Sequence, residues 1–197
     1  MLFRSKHSPS RLVVGSQLTR QDALLLALMA SENRAALALS RNYPGGRLAF
    51  VTAMNARAQA LGMTSTHFAD PSGLLSRNVS TARDLHKLVA AASDVPLIRS
   101  YTTTREARVK VKRRMLTFHN SNRLVGRRSQ WDIALQKTGY TNEAGRCLVM
   151  QARVSNRRLA MIFLDSFGKL TRYGDASRVR RRVETEARRR APPALSP

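Results

Sequence analysis

The sequence predicts an α+β domain in which helices come first, a mostly antiparallel sheet follows and one helix closes the chain. Between Thr19 and Ser93 the apolar residues recur at helical spacing, and from Tyr101 the period drops to near two over several short runs. Breakers such as Pro44, Gly45 and Gly46 cut the first half into separate segments.

Each element has a local reason. "LTRQDALLLALMAS" places Asp22 three positions after Thr19, the capping-box spacing that satisfies the first free amides of a helix. Its apolar character on nearly all sides through Met29 predicts a long helix buried in the middle of a domain. "RLAFVTAMNARAQALGM" sets Phe50, Met54, Ala58 and Leu61 near helical spacing and meets Gly62 where a C-terminal cap is expected. "TSTHFADPSGLLSRN" has no sustained period and holds Pro71 and Gly73, so it predicts a structured loop. Thr81 and Asp84 then open another capped helix, "STARDLHKLVAAAS". "YTTTREARVKV", "RMLTFHNSN", "WDIALQKT", "RCLVMQARV" and "RLAMIFLDS" read as the strands of one sheet. A last helix is expected from about Tyr173 to Arg189, with "APPALSP" a Pro-rich tail, giving a domain over 1–190 and a disordered tail over 191–197.

Composition bounds the function classes. With 43% hydrophobic and 24% charged residues in 197, the chain reads as globular. Its 35 Lys plus Arg against 12 Asp plus Glu give +23, so nucleic acid, anionic lipid and anionic cell wall polymer all fit as partners. The charge is spread: "RVKVKRR" (108–114) alternates like a strand with one solvated face, and "RVRRRVETEARRR" (178–190) reads as a solvated helix. No nucleic-acid recognition motif accompanies it, which favours general basicity over a specific nucleic-acid site. The single cysteine, Cys147, has no partner for a disulfide or a zinc site and is expected to be a buried strand residue. No apolar run reaches membrane-spanning length, and "ALLLALMA" (23–30), although of signal-peptide length, continues into "SENRAALAL" and reads as helix. His7, His67, His86 and His119 have no evident carboxylate or cysteine partners, so no catalytic histidine, metal or cofactor is assigned.

Three features stand out together: "SEN" (Ser31, Glu32, Asn33) at a helix end, the segment 54–74, and "KTG" (Lys137, Thr138, Gly139) on a strand. Each triplet alone is weak. In order, and roughly a hundred residues apart, they resemble the SxN and KTG motifs of the penicillin-binding serine peptidases. The resemblance is nearest to the low-molecular-mass D-alanyl-D-alanine carboxypeptidases and endopeptidases. "LMASENRAALAL", "STARDL", "LQKTGYTNEAGRCLVM" and "LDSFGK" resemble the endopeptidase branch.

That resemblance implies a β-lactamase-like transpeptidase fold and a serine-type hydrolase that acylates itself on D-Ala-D-Ala stem peptides of peptidoglycan, without a cofactor and with β-lactam sensitivity when intact. It implies a periplasmic or cell-envelope setting, although the chain carries no signal peptide. Ser31 would help move a proton to the leaving amine, and Asn33 would bond the substrate amide. Lys137 and Thr138 would face the peptide from a strand against which it lies antiparallel. Gly139 would let its backbone approach, and the Tyr140 N–H would be an oxyanion donor. Arg172 falls where related enzymes hold the terminal carboxylate. The family's SxxK nucleophile and base are expected ahead of SxN, yet the chain's match to that spacing is "SFGK", Ser166 to Lys169, which follows KTG and reads as a decoy. The expectation is therefore an incomplete domain lacking its N-terminal part and inactive by itself. A non-catalytic peptidoglycan-binding remnant and a basic nucleic-acid binder are the alternatives.

Overall fold

A computed structural model describes residues 10–127 and 130–190; the expected Pro-rich tail lies outside the described residues. The order is α1(Arg20–Met29), α2(Asn33–Arg41), α3(Gly46–Ala60), α4(Ala82–Ser93), α5(Pro96–Thr103), β1(Glu106–Val111), β2(Arg114–His119), β3(Asp132–Thr141), β4(Gly145–Val154), β5(Arg157–Ser166) and α6(Thr171–Arg190).

The caps behave as the spacing predicts. Thr19 Oγ1 accepts from the Asp22 amide at 2.9 Å and donates to its carboxylate at 2.8 Å. Thr81 caps α4 through the Asp84 amide at 3.2 Å. At the end of α3 the Gly62 φ of 70° lets the Met63 N–H reach back to the Ala58 carbonyl at 2.9 Å, with both side chains buried. The loop after it is organised by Asp70. Its carboxylate accepts from the amides of Ser72, Gly73 and Leu75 at 2.5, 2.7 and 2.7 Å and from the Asn78 side chain at 3.2 Å. Asn55 of α3 clamps the same loop, bonding both the N–H and the C=O of Phe68 at 2.8 Å.

Three expectations about the elements need correcting. First, the helix from Thr19 is not buried on all sides. Only Ala23, Leu26 and Met29 of α1 are buried, because this one stripe meets Val109, Val111 and Phe118 while its other faces stay half covered. Second, Tyr101–Thr103 belong to a helix, α5, and not to a strand. Pro96 at its start is pre-set for helical φ, and Thr102 and Thr103 turn their hydroxyls back onto the Arg99 carbonyl, which offsets their β preference. Third, the strands form two sheets: the antiparallel hairpin β1-β2, and the antiparallel meander β3-β4-β5 with β3 at one edge.

Two cores follow from the two sheets. Ala23, Leu26, Met29 and Ala35 of α1 and α2 pack with Leu12 on Val109, Val111 and Phe118 of the hairpin. Leu148, Met150 and Ala152 of β4 pack with Met161 of β5, Ala176 of α6 and the loop residues Leu124 and Trp131. Helix α5 bridges the halves by touching both α1 and β3. Cys147, expected to be buried, is only partly so, because it stands near the turn end of β4 opposite exposed Gly139. Among the described residues no helix is long and apolar enough to cross a membrane.

Candidate active site

The chain reverses between α1 and α2 in three residues. Ser31 takes a left-handed φ of 57°, and the Glu32 N–H reaches back to the Leu26 carbonyl at 3.1 Å. Such a conformation costs a non-glycine residue about 1 kcal/mol and is found where a side chain must be aimed. Here it is aimed at β3: the Lys137 ammonium donates to Ser31 Oγ at 2.5 Å and to the Thr138 carbonyl at 2.9 Å. Burial pushes the Lys137 ammonium down from 10.5 to about 8, since a charge leaving water favours its neutral form. Part of the side chain's surface still meets solvent. Near neutral pH it remains mostly an ammonium.

Thr138 is buried and donates to the hydroxyl of Ser121 at 2.7 Å. Ser121 in turn ties three elements together. Its amide donates to the Met29 carbonyl at the end of α1 at 3.0 Å, and its carbonyl accepts from the Tyr173 hydroxyl of α6 at 3.4 Å. Arg172 donates to that same hydroxyl at 3.2 Å and lies over the Tyr173 ring at 4.9 Å. Its Nε and Nη1 are buried without a partner among the described residues. A hydrogen-bonded row thus runs from Ser31 through Lys137, Thr138, Ser121 and Tyr173 to Arg172.

Asn33 opens α2 beside Ser31, half-buried, with no side-chain hydrogen bond among the described residues. Gly139 is exposed on the edge strand. It has no positive φ, and a Cβ there would meet Cys147 Cβ at an ordinary 3.7 Å. Nothing inside the chain therefore demands glycine, and the room it leaves opens outward. Tyr140 is 54% exposed under the Arg146 guanidinium at 4.2 Å, with its hydroxyl on Asn142 at 3.1 Å.

Ser166 ends β5 opposite Arg146, and Lys169 is exposed in the turn that follows. No hydrogen bond joins them among the described residues. His119 stands 3.5 Å from Glu106, a carboxylate partner that the strand pairing supplies. No group of three metal-ligating side chains occurs among the described residues.

Sequence reading missed Ser121, Tyr173 and the amides behind them. Asn120 bonds the carbonyls of Thr102 and Thr104 and accepts from Gln136, which is fully buried on β3. The available signal was "NSN" itself, three polar residues ending an apolar strand, which is costly to bury unless each is satisfied.

This arrangement is an α+β fold with a serine and a lysine meeting between two helices and an edge strand, the architecture of DD-transpeptidases. The transpeptidase of Streptomyces K15 superposes with a TM-score of 0.76 at 31% identity over 86% of this chain and 69% of its own. The D-alanyl-D-alanine carboxypeptidase of Mycobacterium tuberculosis H37Rv gives 0.77 at 28% identity over 98% and 73%. A family model described as D-alanyl-D-alanine carboxypeptidase matches residues 3–168, and the chain belongs to that family. It is similar to the D-alanyl-D-alanine endopeptidases of Pseudomonas aeruginosa and Escherichia coli, each 51% identical over 178 residues. Those 178 residues are 89% of this chain but 57% of either relative, so the chain spans little more than half their length.

Proposed function

We propose that the chain contributes the substrate-binding walls of a serine-type D-Ala-D-Ala carboxypeptidase or endopeptidase that acts on peptidoglycan in the cell envelope through an acyl-enzyme. The observation that carries this reading is the meeting of Lys137 Nζ and Ser31 Oγ at 2.5 Å across 106 residues of sequence. On this reading Ser31 and Lys137 relay a proton to and from the leaving amine, a step that a buried ammonium poised near 8 can share. Asn33 offers its free amide to the substrate backbone. The stem peptide lies along the open edge of β3, over Gly139, with the Tyr140 N–H stabilising the developing oxyanion.

Thr138 and Arg172 would receive the terminal carboxylate. A buried guanidinium with two unpartnered N–H groups is expensive to leave unmatched, and a carboxylate is the ligand whose planar fork suits it. The acyl group needs a serine nucleophile with its own base, and within these 197 residues the S-x-x-K spacing occurs at Ser166–Lys169, which starts at the end of β5, two strands over from Lys137. These residues by themselves are therefore proposed to bind without acylating. β-Lactams, which mimic the peptide, would then bond covalently only to an enzyme holding the nucleophile; penicillin-binding protein D2 of Listeria monocytogenes, a structural relative, has been seen in a cefotaxime-bound form.

Calorimetry with a stem peptide ending in D-Ala-D-Ala, as free acid and as amide, tests the walls directly. The free acid should bind more tightly by about tenfold, and Arg172→Gln should erase the difference. Equal affinity for the two would sink the assignment. A labelled penicillin should leave no covalent adduct on this chain; an adduct lost on Ser166→Ala would restore "SFGK" as the nucleophile.

A further inference from the structure

The hairpin β1-β2 has one face in the core and one in solvent. Val109, Val111 and Phe118 are buried, while Arg108 and Lys110 alternate outward along β1. Two residues of strand rise space these two cations by about 7 Å. Lys112, with φ 53°, and Arg113 make the turn, and Arg114 begins the return strand. Five cations thus surround one tip, and none of them makes an ion pair among the described residues. The nearest acid of the outer face, Glu106, is at the far end beside His119. Asp22 shares a recess with Lys110 and Lys112 but spends its carboxylate on Thr19.

Helix α6 is equally basic, but three of its arginines, Arg178, Arg180 and Arg182, are matched by Asp175, Glu184 and Glu186. Arg181, Arg188 and Arg189 make no ion pair among the described residues and have no exposed apolar side chain set among them as the tip has. The hairpin tip has no such matching, and in its middle, paired across from Lys110, stands Met115, 52% exposed. A flexible apolar side chain ringed by unmatched cations suits a surface with anionic headgroups above an apolar layer. It does not suit a nucleic acid, since the outer face of the tip offers no aromatic ring on which a base could stack.

We propose that the tip of this hairpin docks on an anionic phospholipid bilayer, with Arg108, Lys110, Lys112 and Arg113 on the headgroups and Met115 entering the interface. The base of β2 runs directly into Ser121, so the six residues of the strand would hold the candidate active site about 20 Å above that surface. This inference is independent of the peptidase reading and stands or falls by itself.

The experiment uses the full chain and sedimentation with phosphatidylcholine vesicles, with and without phosphatidylglycerol. Because the whole protein is basic, the comparison is between two variants of equal charge. Lys110→Gln, Lys112→Gln and Arg113→Gln together remove three cations from the tip; Arg181→Gln, Arg188→Gln and Arg189→Gln remove three from the exposed face of α6. Near-surface cations contribute roughly fivefold each to partitioning, so the tip variant should lose on the order of a hundredfold and the α6 variant only a few-fold. In Met115→Trp the indole emission should shift blue and be quenched by brominated lipid, against the constant background of buried Trp131. Equal losses in the two triple variants would reduce the effect to general basicity and overturn the proposal. An unshifted indole on vesicles that do bind the protein would do the same. So would a tip variant that lost duplex DNA binding as steeply as vesicle binding while Met115→Ser bound vesicles unchanged.

Discussion

Replacing Lys137 with Met removes the one cation whose titration the fold displaces most. A fall from 10.5 to about 8 corresponds to roughly 3 kcal/mol in favour of the neutral amine. Partial contact of the side chain with solvent trims this toward about 2 kcal/mol. The folded pKa lies below the unfolded one, so between the two values the unfolded chain holds a proton that the folded chain has released. Stability therefore rises with pH across that window, and below it the full cost of the buried ammonium is present. The measurement is urea denaturation of wild type and Lys137→Met at a series of pH values from about 7 to about 10.5. The gap between the two should move by about 2 kcal/mol in favour of the wild type as pH rises. The bonds that Ser31 Oγ and the Thr138 carbonyl lose in the variant are missing at every pH and drop out of the slope. Parallel stability curves would mean that the ammonium is hydrated in the fold, and the reasoning from burial would fail.

Arg172→Met should leave stability unchanged or raise it by up to about 2 kcal/mol in thermal melts, because it deletes a buried charge with two nitrogens unpartnered among the described residues; a loss of more than about 1 kcal/mol would mean the guanidinium is satisfied within the fold. Asp70→Asn should cost about 2 kcal/mol at neutral pH by turning an acceptor into a donor facing loop amides. Burial alone would raise the Asp70 pKa, but bonds from Ser72, Leu75 and Gly73 outweigh it and hold the pKa below 3.8. The wild-type advantage is then present above the unfolded value and fades as pH falls through the lowered folded one, so an acid titration in which the two proteins never converge would count against it. Gly145→Ala should cost about 2–4 kcal/mol, since a Cβ there would sit 2.2 Å from Asp165 Oδ1 and 2.9 Å from its Cα at a φ of 61°; a chemical-denaturation loss below about 1 kcal/mol would show that the start of β4 and the end of β5 yield easily.

Much of this protein was legible locally. The capping pairs Thr19–Asp22 and Thr81–Asp84 and the glycine exit at Gly62 each depend on neighbours a few residues away, and the elements they mark stand within a few residues of where the pattern put them, whereas α5 lies where the pattern put the start of a strand. Family membership was legible in the same way, from short motifs in a fixed order. Tertiary structure decided what local pattern cannot carry. Tyr101–Thr103 became helix because Pro96 and the Arg99 carbonyl outweigh their β preference, and the five strands divided into two sheets where the chain after β2 turns inward at Asn122 and buries Leu124 and Val125 before β3 begins. That Lys137 meets Ser31, that Ser121 joins α1, β3 and α6, and that Arg172 is buried with open valences are facts of long-range contact. A sequence states which polar groups exist, but only packing determines which of them lose water and must find one another.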